Sequence, residues 1–257
     1  MDWLERVAGL RQWHRNGVRA PHKPLLMLYA LGRYRRAPEE PLRYTDVEQD
    51  LRRLLEEFGT GNAPTPNYPF HHLVRDGVWE VRTAAGPGSP GSRVGALRES
   101  GATGQLSPGL RAALAEDPEL LGRMARLLLD ANFPESLHPE ICSAVGLGPE
   151  SVGTEVGRLL HHPEVQRRRD PLVRERILVA YEYRCAFCGY DGMLGGTPVG
   201  LEAAHVRWWA FGGPDEVGNG LCLCALHHKL FDKGVLGLDT SRRILVSQRF
   251  IGRSASA

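Results

Sequence analysis

The sequence predicts an α+β chain in two parts: an α-rich N-terminal region and a smaller C-terminal unit held by metal ligands. Two observations lead there. Apolar residues recur at helical spacing through much of the first 130 residues. Four of the five cysteines then fall between Cys185 and Cys224. With 257 residues and 42% hydrophobic content, the chain suffices for one large or two modest domains.

Along the first part, Trp3, Leu4, Val7 and Leu10 share one face of a helix predicted over residues 2–14. His22-Lys23-Pro24 opens an apolar segment, Leu25 to Leu31, and Pro24 fits a first helical turn, where its missing N–H costs little. From Asp46 to Phe58, Val47, Leu51, Leu54 and Leu55 keep helical spacing until Gly59-Thr60-Gly61. Asn67 to Leu73 follows a proline-rich turn, and Val78 to Val81 reads as a short strand. Residues 84–92, rich in Gly, Ser and Pro, read as a mobile surface loop. Pro108 to Leu114 and Pro118 to Leu129 read as helices, the second with a stripe of Leu120, Met124, Leu127 and Leu128.

A boundary is expected between about 145 and 170, giving domains at 1–150 and 171–257 with a linker at 151–170. Asp170 caps a helix opening at Pro171 that carries Val173, Ile177, Leu178 and Tyr181. A net charge of +2 does not mark a nucleic-acid binder, so any basic face must be local. An odd cysteine count suits metal binding in a reducing, cytosolic setting better than a disulfide framework. No apolar run reaches the ~18 residues of a membrane span, and Met-Asp-Trp-Leu-Glu-Arg-Val has no leader pattern.

Cys185 and Cys188 have knuckle spacing, and Cys224 and His227, three apart, share a face on a helical turn. Together they form a Cys3His set suited to structural zinc. Cys222 competes with Cys224, since two residues earlier on a strand it points the same way; the adjoining helical turn favours Cys224. Cys142, distant in sequence, reads as a buried small hydrophobe.

His228 points about 100° away from His227 on a helix, so one short helix can serve two sites. His228 is then available to a catalytic divalent ion. His205 follows the apolar stretch Val199 to Ala204 and can stand at a strand end, where a histidine can take a proton from water attacking a phosphodiester. Asn219 has no acid–base role to offer and instead braces the loop that positions His205. Trp208, Trp209 and Phe211 either pack or border a groove. Val235 to Val246 suggests a closing hairpin around Asp239-Thr240, where Arg242 and Arg243 contact phosphate or stay solvated.

Leu201-Glu-Ala-Ala-His-Val, the Gly-Gly-Pro-Asp-Glu-Val-Gly-Asn-Gly-Leu run and Leu-His-His-Lys-Leu-Phe-Asp resemble an HNH, or ββα-metal, endonuclease over about 170–245. The resemblance implies metal-dependent DNA hydrolysis with His205, Asn219 and His228 as signature residues, and Cys185, Cys188, Cys224 and His227 as an accessory zinc set. The catalytic ion is expected to be Mg2+ or Mn2+. Many such enzymes place an acidic ligand directly before the first histidine, where this chain has Ala204. Glu202 keeps the same side of a strand and is the expected substitute; Asp215 and Asp232 are other carboxylates. Water and phosphate oxygens beside His228 are the alternative.

In the first part, His-Lys-Pro-Leu from His22, Tyr-Pro-Phe-His-His-Leu from Tyr68 and Asn-Phe-Pro-Glu-Ser-Leu-His from Asn132 resemble the sulfur-binding domain of restriction endonucleases that recognise phosphorothioated DNA. The resemblance spans much of residues 10–147. It implies that Tyr68, Pro69 and His72 wall an apolar sulfur cavity, and that Lys23, supported by His22, holds the phosphate. Arg93 and the Gly101–Gly104 loop are secondary candidates for backbone or base contacts, and the arginines at 167–169 either help bind DNA or belong to a solvated linker. The partner expected is double-stranded DNA, cut by a homodimer or by two successive nicks.

Overall fold

The computed structural model describes residues 2–15, 18–59, 64–148, 172–208 and 211–251. Thr60-Gly61, the linker at 151–170, the arginines at 167–169, the Asp170 cap, Pro171 and Trp209 lie outside the described residues. The chain divides into two compact units, one on each side of residues 166 and 167.

The first unit mixes helices with a four-stranded antiparallel sheet. Helix α1, Trp3–Ala8, starts where Asp2 accepts the amides of Leu4 and Glu5 and stops at Gly9. It is shorter than the expected 2–14, because the chain then turns into the hairpin β1, His14–Arg15, and β2, Val18–Arg19. The buried axis is α2, His22–Arg36, in which every residue from Pro24 to Gly32 is buried. That accounts for its uninterrupted apolar run, since a helix covered all round needs no polar face. Gly32 faces α8, His138–Val145; a Cβ there would lie 2.0 Å from the Val145 carbonyl oxygen, so only glycine permits this approach. Cys142 of α8 is buried, as expected of a small hydrophobe.

Helix α3, Tyr44–Phe58, buries Val47, Leu51, Leu54 and Leu55 as its stripe predicts. Asn67–His72 forms a short helix, α4, and Val94–Glu99 forms α5. Helices α6, Pro108–Glu116, and α7, Pro118–Asn132, run past their predicted ends; Asp117 caps α7 by accepting the Glu119 amide. The sheet order is β3 (Leu42–Arg43), β6 (Thr103–Leu106), β4 (Trp79–Thr83), β5 (Gly86–Pro87). The segment 84–92, expected to be a loop, thus contributes an edge strand, with Arg82 opposite Pro87. Proline is tolerated there because an edge position leaves its missing donor unneeded.

The second unit begins with α9, Val173–Ala180, which carries Val173, Ile177 and Leu178 into the core. A small hairpin, β7 (Met193–Leu194) with β8 (Thr197–Pro198), precedes the central pair. In that pair β9, Leu201–His205, runs antiparallel to β10, Gly220–Cys224, with His205 opposite Gly220 and Leu201 opposite Cys224. Helix α10, Ala225–Asp232, packs on both strands. A hairpin of β11 (Leu236–Leu238) and β12 (Ile244–Val246) follows as predicted. Its turn is tied by Asp239, which accepts the Ser241 and Arg243 amides and the Arg243 guanidinium.

Candidate functional site

Cys224 closes β10 and caps α10, so His227 comes off the helix's first turn on the side of the strand end. The ligand atoms of Cys185, Cys188, Cys224 and His227 all lie within 4.8 Å of one another. His227 Nδ1 is 3.4 Å from Cys185 Sγ and 3.3 Å from Cys224 Sγ. Cys222 is outside that set: it is fully buried in the core that includes Ile177, Leu178 and Leu223, and burial pushes its thiol up. Burial also opposes ionisation of Cys185, but the amides of Cys224, Cys188 and Phe187 and the His227 ring outweigh it and lower the thiol to about 6. Cys188 goes the other way: the Tyr190 amide favours its thiolate, while burial and the neighbouring Cys185 and Cys224 prevail and raise it. Three thiols this close cannot all ionise without a cation, and the donor set fits a tetrahedral divalent ion such as zinc.

His205 ends β9, and its Nε2 lies 3.0 Å from Oδ1 of Asp215. Asn219 is buried and fully engaged. Its Oδ1 accepts the Arg207 amide at 2.9 Å, and its Nδ2 donates to the carbonyls of Arg207 and Pro214 at 3.0 and 2.9 Å. These bonds close the loop between β9 and β10. Gly213 is required in that loop, because a Cβ would sit 1.9 Å from the Arg207 carbonyl oxygen. Trp208 and Phe211 stack on each other within it, ring centroids 5.2 Å apart.

His228, one residue beyond His227, turns toward two carboxylates. Its Nδ1 is 2.6 Å from Glu202 Oε2 and its Nε2 is 3.1 Å from Asp232 Oδ2. Burial alone would lower its pKa; Asp232 and Glu202 outweigh burial and raise it. Ala204 is fully buried in the core, so Glu202 is the β9 carboxylate beside His228. The partners Asp215 and Asp232 carried only weak sequence signals. Asp232 stands four residues after His228, a same-face helical spacing, whereas Asp215 lies in a loop without periodicity.

In the first unit, Phe70 packs edge-on against Tyr44 and Trp79, with centroids 5.0 and 5.6 Å away. That anchors α4 with Pro69 and Phe70 inward and leaves Tyr68 51% exposed. Tyr68 and His72, one turn apart, stack with centroids 5.8 Å apart. His71 Nδ1 is 2.7 Å from Ser89 Oγ, and Asn67 Nδ2 donates to the Ser92 carbonyl, which ties the segment before exposed Arg93 to α4. The Lys23 side chain is 12% exposed, and its ammonium pairs with the buried carboxylate of Asp76. Asp76 also accepts the Arg11 amide, and the Arg11 side chain and Arg75 remain exposed. Burial lowers the pKa of His22. Burial and Arg75 lower that of His71; burial, His71, Arg75 and Lys23 lower that of His72 against the pull of Asp76.

Residues 1–150 match the family model of the ScoMcrA-like DNA sulfur-binding domain. The chain belongs to that family. Residues 185–239 match an HNH endonuclease model, so the ScoMcrA-like sulfur-binding domain is joined here to an HNH endonuclease domain. Among solved structures, the chain is similar to the sulfur-binding domain of ScoMcrA complexed with phosphorothioated DNA: 26% identity, TM-score 0.50, covering 60% of this chain and 99% of that one. The sulfur-binding domain of SprMcrA, also complexed with phosphorothioated DNA, aligns at 28% identity and TM-score 0.48, over 57% and 93%. The Type IV phosphorothioation-dependent restriction endonuclease ScoMcrA aligns at 23% identity and TM-score 0.47, over 65% of this chain and 36% of its own length. No curated protein matches the chain. No helix among the described residues is long and apolar enough to cross a membrane.

Proposed function

We propose that this chain is a restriction endonuclease that reads phosphorothioate-modified double-stranded DNA with residues 1–150 and hydrolyses nearby backbone with residues 171–257, the segment 151–170 acting as linker. The observation that carries this reading is the union, in one chain, of a sulfur-binding family domain and an HNH domain. The stacked Tyr68 and His72 with buried Pro69 form the apolar wall for sulfur. Sulfur in place of a non-bridging oxygen is larger and less strongly hydrated, so an apolar wall favours it while nearby cations retain the phosphate charge. In this reading exposed Arg93 faces the modified strand, and Lys23, supported by His22, reaches the phosphate only by sharing its ammonium with Asp76.

His205 takes the proton of the water that attacks phosphorus, and Asp215 orients its ring. Asn219 holds the loop that fixes this geometry. His228 and Glu202 hold a divalent cation, magnesium or manganese, which when bound offsets charge on the phosphate and the departing oxygen. Cys185, Cys188, Cys224 and His227 hold structural zinc. With one nuclease centre per chain, cutting both strands takes a homodimer or two successive nicks.

The test compares matched duplexes with and without a single phosphorothioate, each with magnesium or manganese. Selective, metal-dependent cleavage of the modified duplex is expected. Equal cleavage of both removes sulfur selectivity, and selective binding with no metal-supported cleavage reduces the chain to a binding module.

A further inference from the structure

The imidazole of His228 is flanked by a carboxylate on each nitrogen, Glu202 at 2.6 Å and Asp232 at 3.1 Å. A neutral imidazole has one N–H. In that state one of the two nitrogen–carboxylate pairs faces lone pair against anion, which either a second ring proton or a metal ion relieves. The two sides differ in access. The Asp232 side chain is 2% exposed and that of Glu202 is 46% exposed. A hydrated divalent ion and a phosphate oxygen can reach only the second.

The three side chains do not converge on one point. Among the described residues, only the Cys3His set brings three or more such ligand atoms within 4.8 Å of one another. His228 stands between Asp232 and Glu202, so an ion touching Nδ1 and Glu202 does not touch Asp232. The arrangement is that of a ligating histidine whose second nitrogen donates to a carboxylate.

We infer that Asp232 is a positioning residue that holds the His228 proton on Nε2, leaving Nδ1 and the Glu202 carboxylate as the two protein ligands of the divalent cation. Glu202 thereby replaces the acidic ligand absent at Ala204, and the remaining positions fall to water and phosphate. The inference rests on the nuclease reading of this unit and is independent of what the first unit recognises.

The test uses the full-length, zinc-loaded chain without DNA. Mn2+ binding is followed by the electron paramagnetic resonance signal of the free ion, for the unaltered chain, Glu202→Gln and Asp232→Asn. Zinc content is measured alongside as a check on folding. Glu202→Gln is expected to weaken Mn2+ binding at least about tenfold, and Asp232→Asn by about 10- to 100-fold, with zinc retained. Nitrogen-15 NMR of the unaltered, Mn2+-free chain, above the titration of His228, is expected to find the ring proton on Nε2. Unchanged Mn2+ affinity in Glu202→Gln, a proton on Nδ1, or an unaltered chain that binds no Mn2+ in the millimolar range each overturns the inference. If Asp232→Asn does not fold, the tautomer measurement decides the role of Asp232. Loss of phosphorothioate selectivity in the duplex assay leaves all these readings untouched, so the two failures are distinguishable.

Discussion

His22, His71, His72 and His228 show how the same side chain is set to opposite ends by its neighbours. Burial disfavours the charged forms of the first three, and neighbouring cations add to it for His71 and His72; His228 lies between carboxylates that favour its charged form. Proton NMR titration of the zinc-loaded chain, free of magnesium and manganese, should place His22, His71 and His72 below the ordinary histidine value of about 6.5, and His228 above it. The signs for stability follow. As pH falls below about 6.5 the unfolded chain takes up protons before His22, His71 and His72 do in the fold, so these residues lose stability to acid. The contribution of His228 is fully present below about 6.5 and is lost as pH rises through its folded value. Midpoints in the reverse order would contradict the contacts described. The residue types of this set were legible in the sequence, because His205, Asn219 and His228 sit in recognisable runs. Their partners were not, since the pairing of Asp76 with Lys23 or of Asp215 with His205 depends on chain segments meeting in space.

Helix α10 is the element on which the second unit turns. Its cap, Cys224, and its third residue, His227, belong to the Cys3His set, and its packing on β9 and β10 places His228 beside Glu202. Replacement Cys185→Ala is expected to abolish zinc retention and unfold the second unit, while binding of modified DNA by the first unit persists. Metal analysis, circular dichroism and a binding titration on the same preparation check this; full cleavage activity without zinc would refute it. Helices with regular apolar stripes, such as α3 and α7, were readable from periodicity alone. Helix α4 was not, because its six residues span under two turns and its place is set by Phe70, whose burial is worth about 1.5–3 kcal/mol. Strand β5 was hidden for a similar reason. Its Gly- and Pro-rich composition signals a turn, and only the partner β4 makes it a strand.

At the scale of the whole molecule, reading and cutting reside in separate compact units, so they should fail separately. Tyr68→Ala is expected to reduce the preference for phosphorothioated over plain duplex by about tenfold, roughly 1.4 kcal/mol, with metal-dependent cutting intact at saturating DNA. His205→Ala should keep that preference and lose about 10²- to 10⁴-fold in cleavage rate. Binding and single-turnover measurements on both variants check the pair; loss of both functions in a folded His205→Ala chain would contradict its local role. The two units also differ in what they tolerate from a changing gene. Cys224, His227 and His228 occupy a stretch in which each residue advances the helix by about 100°. A single codon gained or lost there would swing His228 out of register with Glu202 and carry His227 away from the cysteines together. A change of length within this stretch is therefore far more damaging than a change of residue type at Ala225 or Leu226, which lie between the ligands.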